Sequence, residues 1–538
     1  MASIAPFTQK LGLRLAAHLL RRASYAYSKA TLDSFAELTP SQALDVLFIT
    51  KEPTIAEPID PKTGQGWINS GTDPLTIENG LRQFVKGWWL NEARQDGSIA
   101  HKMMFFLHGC FTTEGNAAQS PYFFDYLGLL RFYALGNYKS LAYRMTVDNM
   151  MLRYLDNTFN EKGKPNENYA REFLELFTIG KGPQIGEGNY TNYTETDVKE
   201  GARVLTGFKF GNRTDNIDPV TGIAMGKTNI YKHDTEDKTF SSAFGNQTIK
   251  GGKTQAEMHT ELQEYISMVF NQKETARFIA RRLYRYFVST NITTEIETDI
   301  IEALATTIYD NNYELKPALR QLLESQNFYD ADDSDNKDEI IGSLLKSPIE
   351  LLLQAISFFE LQIADPKTNP DDHYSKFWSK GIISAFYAIQ GFDPFYPPDV
   401  AGYPAYYQQP DYTRLWFNAS SIIPRYKMPE ALLYGKVASL KLTLGTQLDI
   451  VNWIKNNISN PYDAETVVYE LISYLHPEQP DTDRYNHFLY TVFLDGLSVE
   501  DWNYEWDAYI KTSEDGEVKA ALNNLINALM IAPEYQVF

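Results

Sequence analysis

The stretch Pro165-Asn-Glu-Asn-Tyr-Ala-Arg-Glu-Phe-Leu-Glu-Leu-Phe-Thr-Ile-Gly180 decides how the chain reads. Proline is preorganised for a first helical turn and glycine for the left-handed residue that ends one, so the segment predicts a helix over 165–179. On that helix Glu167, Arg171 and Glu175 fall at i, i+4 and i+8, which predicts one acidic–basic–acidic stripe. Glu172 sits about 100° around from Arg171, nearer the apolar face. Two uses fit such a stripe. It is either a general-acid or metal-binding surface with Arg171 orienting the carboxylates, or a salt-bridge network tying helices together.

Helical patterns continue on both sides. Upstream, apolar spacing predicts helices over 11–22, 29–38, 41–48, 77–95, 99–111, 121–135 and 138–155, with Pro40 near the first turn of the third. Downstream, Thr194 and Asp197 form a capping box with Asp in place of the usual Glu or Gln, opening a helix over 194–205. Residues 208–252 break the pattern. They are rich in Gly, Thr, Asn and Asp, with β-prone pieces at 227–232 and 238–244, and predict a small β insertion of a hairpin or two. Helices return from 255 to about 329, including 275–288 and 315–325. The acidic run 330–339 reads as a linker. It superficially suggests a calcium loop, but Asp335 stands where the loop needs glycine. The stretch 392–412 holds five prolines and many tyrosines, which predicts an ordered irregular loop.

The fold class expected is therefore mostly α: a multi-helical globule with a small β insertion and long ordered loops. By chain order it divides into a helical region over 1–207, the insertion over 208–252, a helical region over 253–329 completing the first core, a linker over 330–346, and a C-terminal helical region over 347–538. At 43% hydrophobic and 22% charged the chain suits a folded globule. Its formal charge of −20 disfavours nucleic acid and anionic lipid as partners. A single cysteine excludes an internal disulfide. The first thirty residues interrupt their apolar positions with Lys10, Arg14, Arg21 and Arg22, unlike a signal peptide, and no stretch is apolar enough to span a membrane. The compartment expected is cytoplasmic, or exported together with a partner.

The 165–180 stretch, followed by Asn192-Tyr-Thr-Glu-Thr-Asp-Val-Lys-Glu-Gly-Ala-Arg-Val-Leu-Thr-Gly-Phe208, resembles the signature of the bacterial family DUF1800. Ala17-His-Leu-Leu-Arg-Arg-Ala23, Tyr133-Ala-Leu-Gly-Asn137, Tyr154-Leu-Asp-Asn157, His233-Asp234, Ala276-Arg-Phe-Ile-Ala-Arg-Arg-Leu283, Lys346-Ser-Pro348 and Pro397-Pro-Asp-Val-Ala-Gly-Tyr-Pro404 agree in order. The resemblance runs from about residue 15 to the C-terminus. It implies a helical fold and, by association, a companion from the sulfatase-like DUF1501 family in an envelope or exported assembly. It brings no reaction with it. The chain departs from the family's Trp-His-x-His run, having Leu107-His-Gly-Cys110 there.

Candidate chemistry follows from residue types. His108, Cys110 and Glu172 offer the donors of a zinc or iron site, although a core histidine satisfied by a backbone carbonyl suits His108 as well. No cofactor is called for by default; a divalent metal is the one that would fit. Glu172, Glu175 and Arg171 are candidate catalytic residues, and Lys232-His233-Asp234 offers a base with an adjacent orienter. Asp156, Glu172 and Asp197 are possible partners in a carboxylate pair for glycoside hydrolysis. Tyr396, Tyr403, Tyr406, Tyr407 and Trp416 are candidate ligand-binding aromatics, since tyrosine pairs a stacking face with a hydroxyl. Serine-hydrolase elbows and phosphate-binding loops are absent from the sequence. Two functions remain open: a scaffold or partner-binding protein of an envelope-associated or exported assembly, and a hydrolase, metal-assisted or not, acting on a polymeric or sugar-like substrate.

Overall fold

The computed structural model describes residues 2–332 and 340–538. The calcium-loop reading, and the middle of the acidic linker, lie outside the described residues. The protein is mostly α-helical, and among the described residues every sheet is a two-stranded antiparallel ladder. No helix among them is long and apolar enough to cross a membrane.

Contacts divide the chain into two units. One comprises Met1–Ala5, Ala100–Ser325 and Phe395–Tyr407; the other comprises Pro6–Ile99, Gln326–Pro394 and Gln408–Phe538. This differs from a division by chain order, because the N-terminal helices group with the C-terminal ones. The reason is visible at the first helix, Gly12–Ala23, whose Ala16, Leu19, Leu20 and Ala23 are fully buried. Arg21 and Arg22, which read as charged interruptions, are buried too. Arg21 Nη2 donates to the carbonyls of Tyr474 and His476 at 2.7 and 3.2 Å, at the end of the helix Ala464–Leu475. Those are carbonyls a helix end leaves unmet, so the guanidinium is both cap and clamp. In the same unit the helix Gly516–Ile531 is packed on several sides by Ile422–Tyr434, Ile450–Asn457, Ala464–Leu475 and Val499–Thr512. The wide-turned helix Asp371–Tyr387 lies along Glu78–Ala93 so closely that a Cβ on Gly87 would meet Trp378 Cβ at 2.9 Å.

The other unit carries the signature segments. Its helix Ala100–Cys110 is apolar nearly all round and buried over almost its whole length, as a helix enclosed on all sides requires. The helix Lys273–Phe287 is amphipathic instead. Ala276, Ile279, Ala280, Leu283, Tyr284 and Phe287 are buried, while Arg277 and Arg281 reach across to Glu302 and Glu297. The single helix expected over 138–155 is two, Tyr138–Thr146 and Asn149–Tyr154. Asp148 breaks it: its carboxylate accepts the Met151 N–H as an N-cap, and the Val147 carbonyl is taken by the Gly226 N–H at 2.8 Å. The insertion that supplies Gly226 is less β than its sequence suggests. It pairs Phe208–Lys209 with Lys227–Thr228 and Lys238–Thr239 with Thr248–Ile249, two residues a strand. The rest of each β-prone piece, Ile230–Lys232 and Ser242–Phe244, closes into single turns.

Candidate functional site

The signature helix begins later than its proline suggests. The Asn160 side chain takes the Asn166 N–H at 2.9 Å, Asn166 Oδ1 takes the Asn168 N–H at 2.9 Å, and only then does the α-helix Asn168–Glu172 form. It passes directly into wider i→i+5 turns over Phe173–Thr178. The Ile179 and Gly180 N–H groups both fold back on the Leu174 carbonyl, at 3.2 and 2.9 Å, with Gly180 at φ +71° ending the helix as expected.

That change of pitch corrects the expected stripe. Glu167 does reach Arg171, at 3.1 Å, but Glu175 does not. The wider turn swings it around the axis, where Lys181 Nζ meets it at 2.5 Å and the Tyr193 hydroxyl donates to it at 3.1 Å. Arg171 instead forms a two-pronged pair with Glu195 of the next helix, at 2.6 and 2.9 Å. Those bonds hold Arg171 well above the ordinary arginine range and Glu195 below the usual carboxylate range. The box-capped helix Glu195–Val204 is fixed in place by the same contact.

Glu172 is left without any of this. Among the described residues no hydrogen bond or ion pair reaches its carboxylate. Half-burial first, and the Glu175 charge second, push it up to about 7 in spite of Arg171 and Lys181. Asp399, from the loop 395–407, contributes to the same field. The Tyr154 hydroxyl is raised well above its ordinary value, by burial and then by Glu114, Asp399 and Glu172. Segments distant in sequence thus share one electrostatic neighbourhood: Glu172 feels Glu175 and Asp399, and Tyr154 feels Glu114, Asp399 and Glu172. The Asp399 turn is closed by the Gly402 N–H on the Asp399 carbonyl at 2.9 Å. Gly402 sits at φ +100°, a region that favours glycine.

His108 is buried on the helix Ala100–Cys110 of the same unit. The Tyr126 hydroxyl donates its only proton to the Phe111 carbonyl at 2.9 Å, so its 2.8 Å contact with His108 must be Nδ1–H donating to it. Nε2 is then a bare, buried acceptor among Phe105, Phe395 and Tyr403. Burial lowers His108 to about 3, so the ring is neutral. The carbonyl expected as its partner is reached through Tyr126 instead. Cys110 is buried, its thiol pushed up by that burial and set beside the Tyr138 hydroxyl. Among the described residues no group of three or more His, Cys, Asp and Glu side chains is disposed to hold a metal ion, so His108, Cys110 and Glu172 do not form one.

The remaining candidates go elsewhere. His233 and Asp234 point to different partners. Asp234 is gripped by Arg203 at 2.7 and 3.2 Å. His233 Nε2 lies 2.8 Å from Glu261, whose other oxygen meets Lys238 Nζ at 2.6 Å, and all three side chains are sealed from water. Asp197 is consumed by Thr194 and by Ser241, at 2.6–2.9 Å, and Asp156 is exposed, so neither pairs with Glu172. Of the aromatics, Tyr396 bonds to Asn116, Tyr403 accepts the Tyr396 N–H at 3.2 Å, and Tyr406 packs on Tyr286. Tyr407 is 36% exposed and is raised by burial and by Asp399. Trp416 belongs to the other unit, against Phe392. Glu114 carried no signal in the sequence, whereas Tyr154 and Asp399 stand inside segments that do.

A family model matches residues 18–537, with both halves of the signature and the 397–404 turn inside it. The chain belongs to DUF1800. The family's description is "Protein of unknown function (DUF1800)". No curated protein and no solved structure matches the chain. In this DUF1800 protein the signature helix and the 397–404 turn, 217 or more residues apart in sequence, belong to one unit, and Asp399 adds to the field at Glu172.

Proposed function

We propose that this protein is a hydrolase whose general acid–base residue is Glu172. The observation that carries the reading is the state of that carboxyl. It is half-buried, without a hydrogen-bond or ion-pair partner among the described residues, and raised to about 7, where it can both give and take a proton near neutrality. The neighbouring Glu175, bonded to Lys181 and Tyr193, adds to that rise. Arg171 positions the helix through Glu195 rather than touching substrate. The acidic surroundings repel phosphates and other anions, so a neutral, sugar-like or polymeric substrate fits best, with Tyr407 beside Asp399 as the exposed aromatic face. Purified protein is assayed for new reducing ends on a panel of neutral polysaccharides. The expected result is activity that falls above about pH 7 and vanishes in Glu172→Gln while unfolding temperature at pH 5 is kept. Equal activity of the variant and the wild type would refute the role.

A partner-binding scaffold is the second reading. It is favoured by exposed apolar side chains on two C-terminal helices and the loop between them: Tyr490, Leu497, Tyr504 and Ile510 are 39–73% exposed. A DUF1501 companion is the partner the family resemblance implies. Native mass spectrometry of protein taken gently from its own host tests it. A mass increment of protein size supports the scaffold, and a bare chain opposes it.

A further inference from the structure

The signature unit contains a cavity that the acid–base reading does not use and on which it does not depend. It is an open cleft of about 590 Å³ between the helices Tyr138–Thr146 and Gln255–Phe270 and the 218–225 part of the insertion. That is the size of a small-molecule site.

Its charges are unusual for this protein. Arg144 is only 3% exposed. Its Nε faces Asp218 at 3.2 Å, and Nη2 makes long contacts of 3.3–3.4 Å to Thr221 and the Ile223 carbonyl. Nη1 is buried with no hydrogen-bond partner. Arg425 in the other unit carries an unmet Nη1 too, but of the two only Arg144 lines an open cleft beside a second cation. Lys139, on the first turn of the same helix, makes no hydrogen bond or ion pair among the described residues. Burial lowers its pKa, so the cation is drawn partly out of water without a carboxylate to compensate it. Two cations therefore face one carboxylate in a chain whose formal charge is −20. The rest of the lining includes apolar faces on Tyr133, Val220 and Ile266 and neutral hydrogen-bonding groups on Asn137, Ser140 and Gln263.

We propose that this cleft binds a small organic monocarboxylate with an aromatic or branched aliphatic body. Its carboxylate is held by Lys139 and the Arg144 guanidinium, and its body lies on Tyr133, Val220 and Ile266. One uncompensated positive charge matches one carboxylate. Asp218 beside Arg144, together with the apolar wall, disfavours a phosphate dianion.

The test is ligand-observed fluorine NMR of the full chain with 4-fluorobenzoate. Saturable binding is expected, displaced by benzoate and not by equimolar inorganic phosphate. Lys139→Met should weaken it about tenfold or more, the size of a lost charge-assisted contact. Val220→Trp, which fills the cleft from its solvent side, should weaken it as well. Lys164→Met, exposed and outside the cleft, should leave it unchanged. No saturable binding by about 10 mM probe would overturn the proposal. So would equal affinity in Lys139→Met and Val220→Trp, or displacement by phosphate as effective as by benzoate.

Discussion

Replacing Glu172 with glutamine should make the protein more resistant to unfolding at pH 8 than at pH 5, relative to wild type. The sign follows from the direction of the shift. A carboxyl raised from its ordinary 4.5 to about 7 binds its proton more tightly folded than unfolded. The stability this contributes is complete below pH 4.5 and is lost as pH rises through 7. Glutamine cannot ionise, so the variant keeps what the wild type loses. Carried in full, the rise from 4.5 to about 7 would be worth about 3.4 kcal/mol. The side chain is only half-buried, and water screens part of that field, so about 1–2 kcal/mol is the figure to expect. In a unit of this size that is roughly 2–8 °C. Paired calorimetric scans of wild type and Glu172→Gln at pH 5 and pH 8 supply the assay. A difference between the two proteins that is the same at both pH values would show that Glu172 titrates normally. The acid–base reading would then fail with it.

Other perturbations test other parts. Glu261→Gln leaves Lys238 sealed from water without its carboxylate and should cost about 3–5 kcal/mol; a loss below about 1 kcal/mol in denaturant titration would show the network is not buried as described. Gly87→Ala drives a Cβ to 2.9 Å from Trp378 and should destabilise by about 1–3 kcal/mol. Gly109→Ala, whose Cβ meets nothing within 4 Å, should stabilise its helix by up to about 1 kcal/mol, and similar unfolding temperatures for the two variants would contradict both placements. Cys110 should resist a thiol reagent in the native protein and react once it is unfolded, because burial keeps it a thiol; rapid native labelling at neutral pH would refute that.

The sequence made legible what short-range chemistry decides. Thr194 with Asp197, Pro40 and the amphipathic spacing of Ala276 to Phe287 each place an element to within a residue or two, because a cap or an apolar stripe acts over one turn. Asp148 is the exception of the same kind: a strong N-cap within an otherwise helical pattern, whose break is completed by the Gly226 N–H on Val147, 79 residues away. Glu172 stood out as an acid on the signature helix, but its isolation did not. That depends on a change of pitch after residue 172, which sends Glu175 to Lys181, and on Glu195 taking Arg171. His233 beside Asp234 looked like a pair because they adjoin, yet alternate backbone directions send one to Glu261 and the other to Arg203. Glu114 and Asp399 join the site only through tertiary packing, which no local pattern records.

The buried arginines of the first helix impose an order on synthesis. Arg21 finds its carbonyl partners at Tyr474 and His476, more than 450 residues later. At ribosomal speeds of 5–20 residues per second the first hundred residues wait for roughly 20–90 s before the segment they pack against has been made. Through that interval the apolar face of Gly12–Ala23 and its two guanidinium groups are on offer to whatever is nearby, while Ala100–Ser325 already has most of its own unit. A nascent chain stalled near residue 400 should therefore carry a protease-resistant middle and a protease-sensitive beginning. The helix Gly12–Ala23 is thus expected to wait longest for its burial, although it is made well before the segment that buries it.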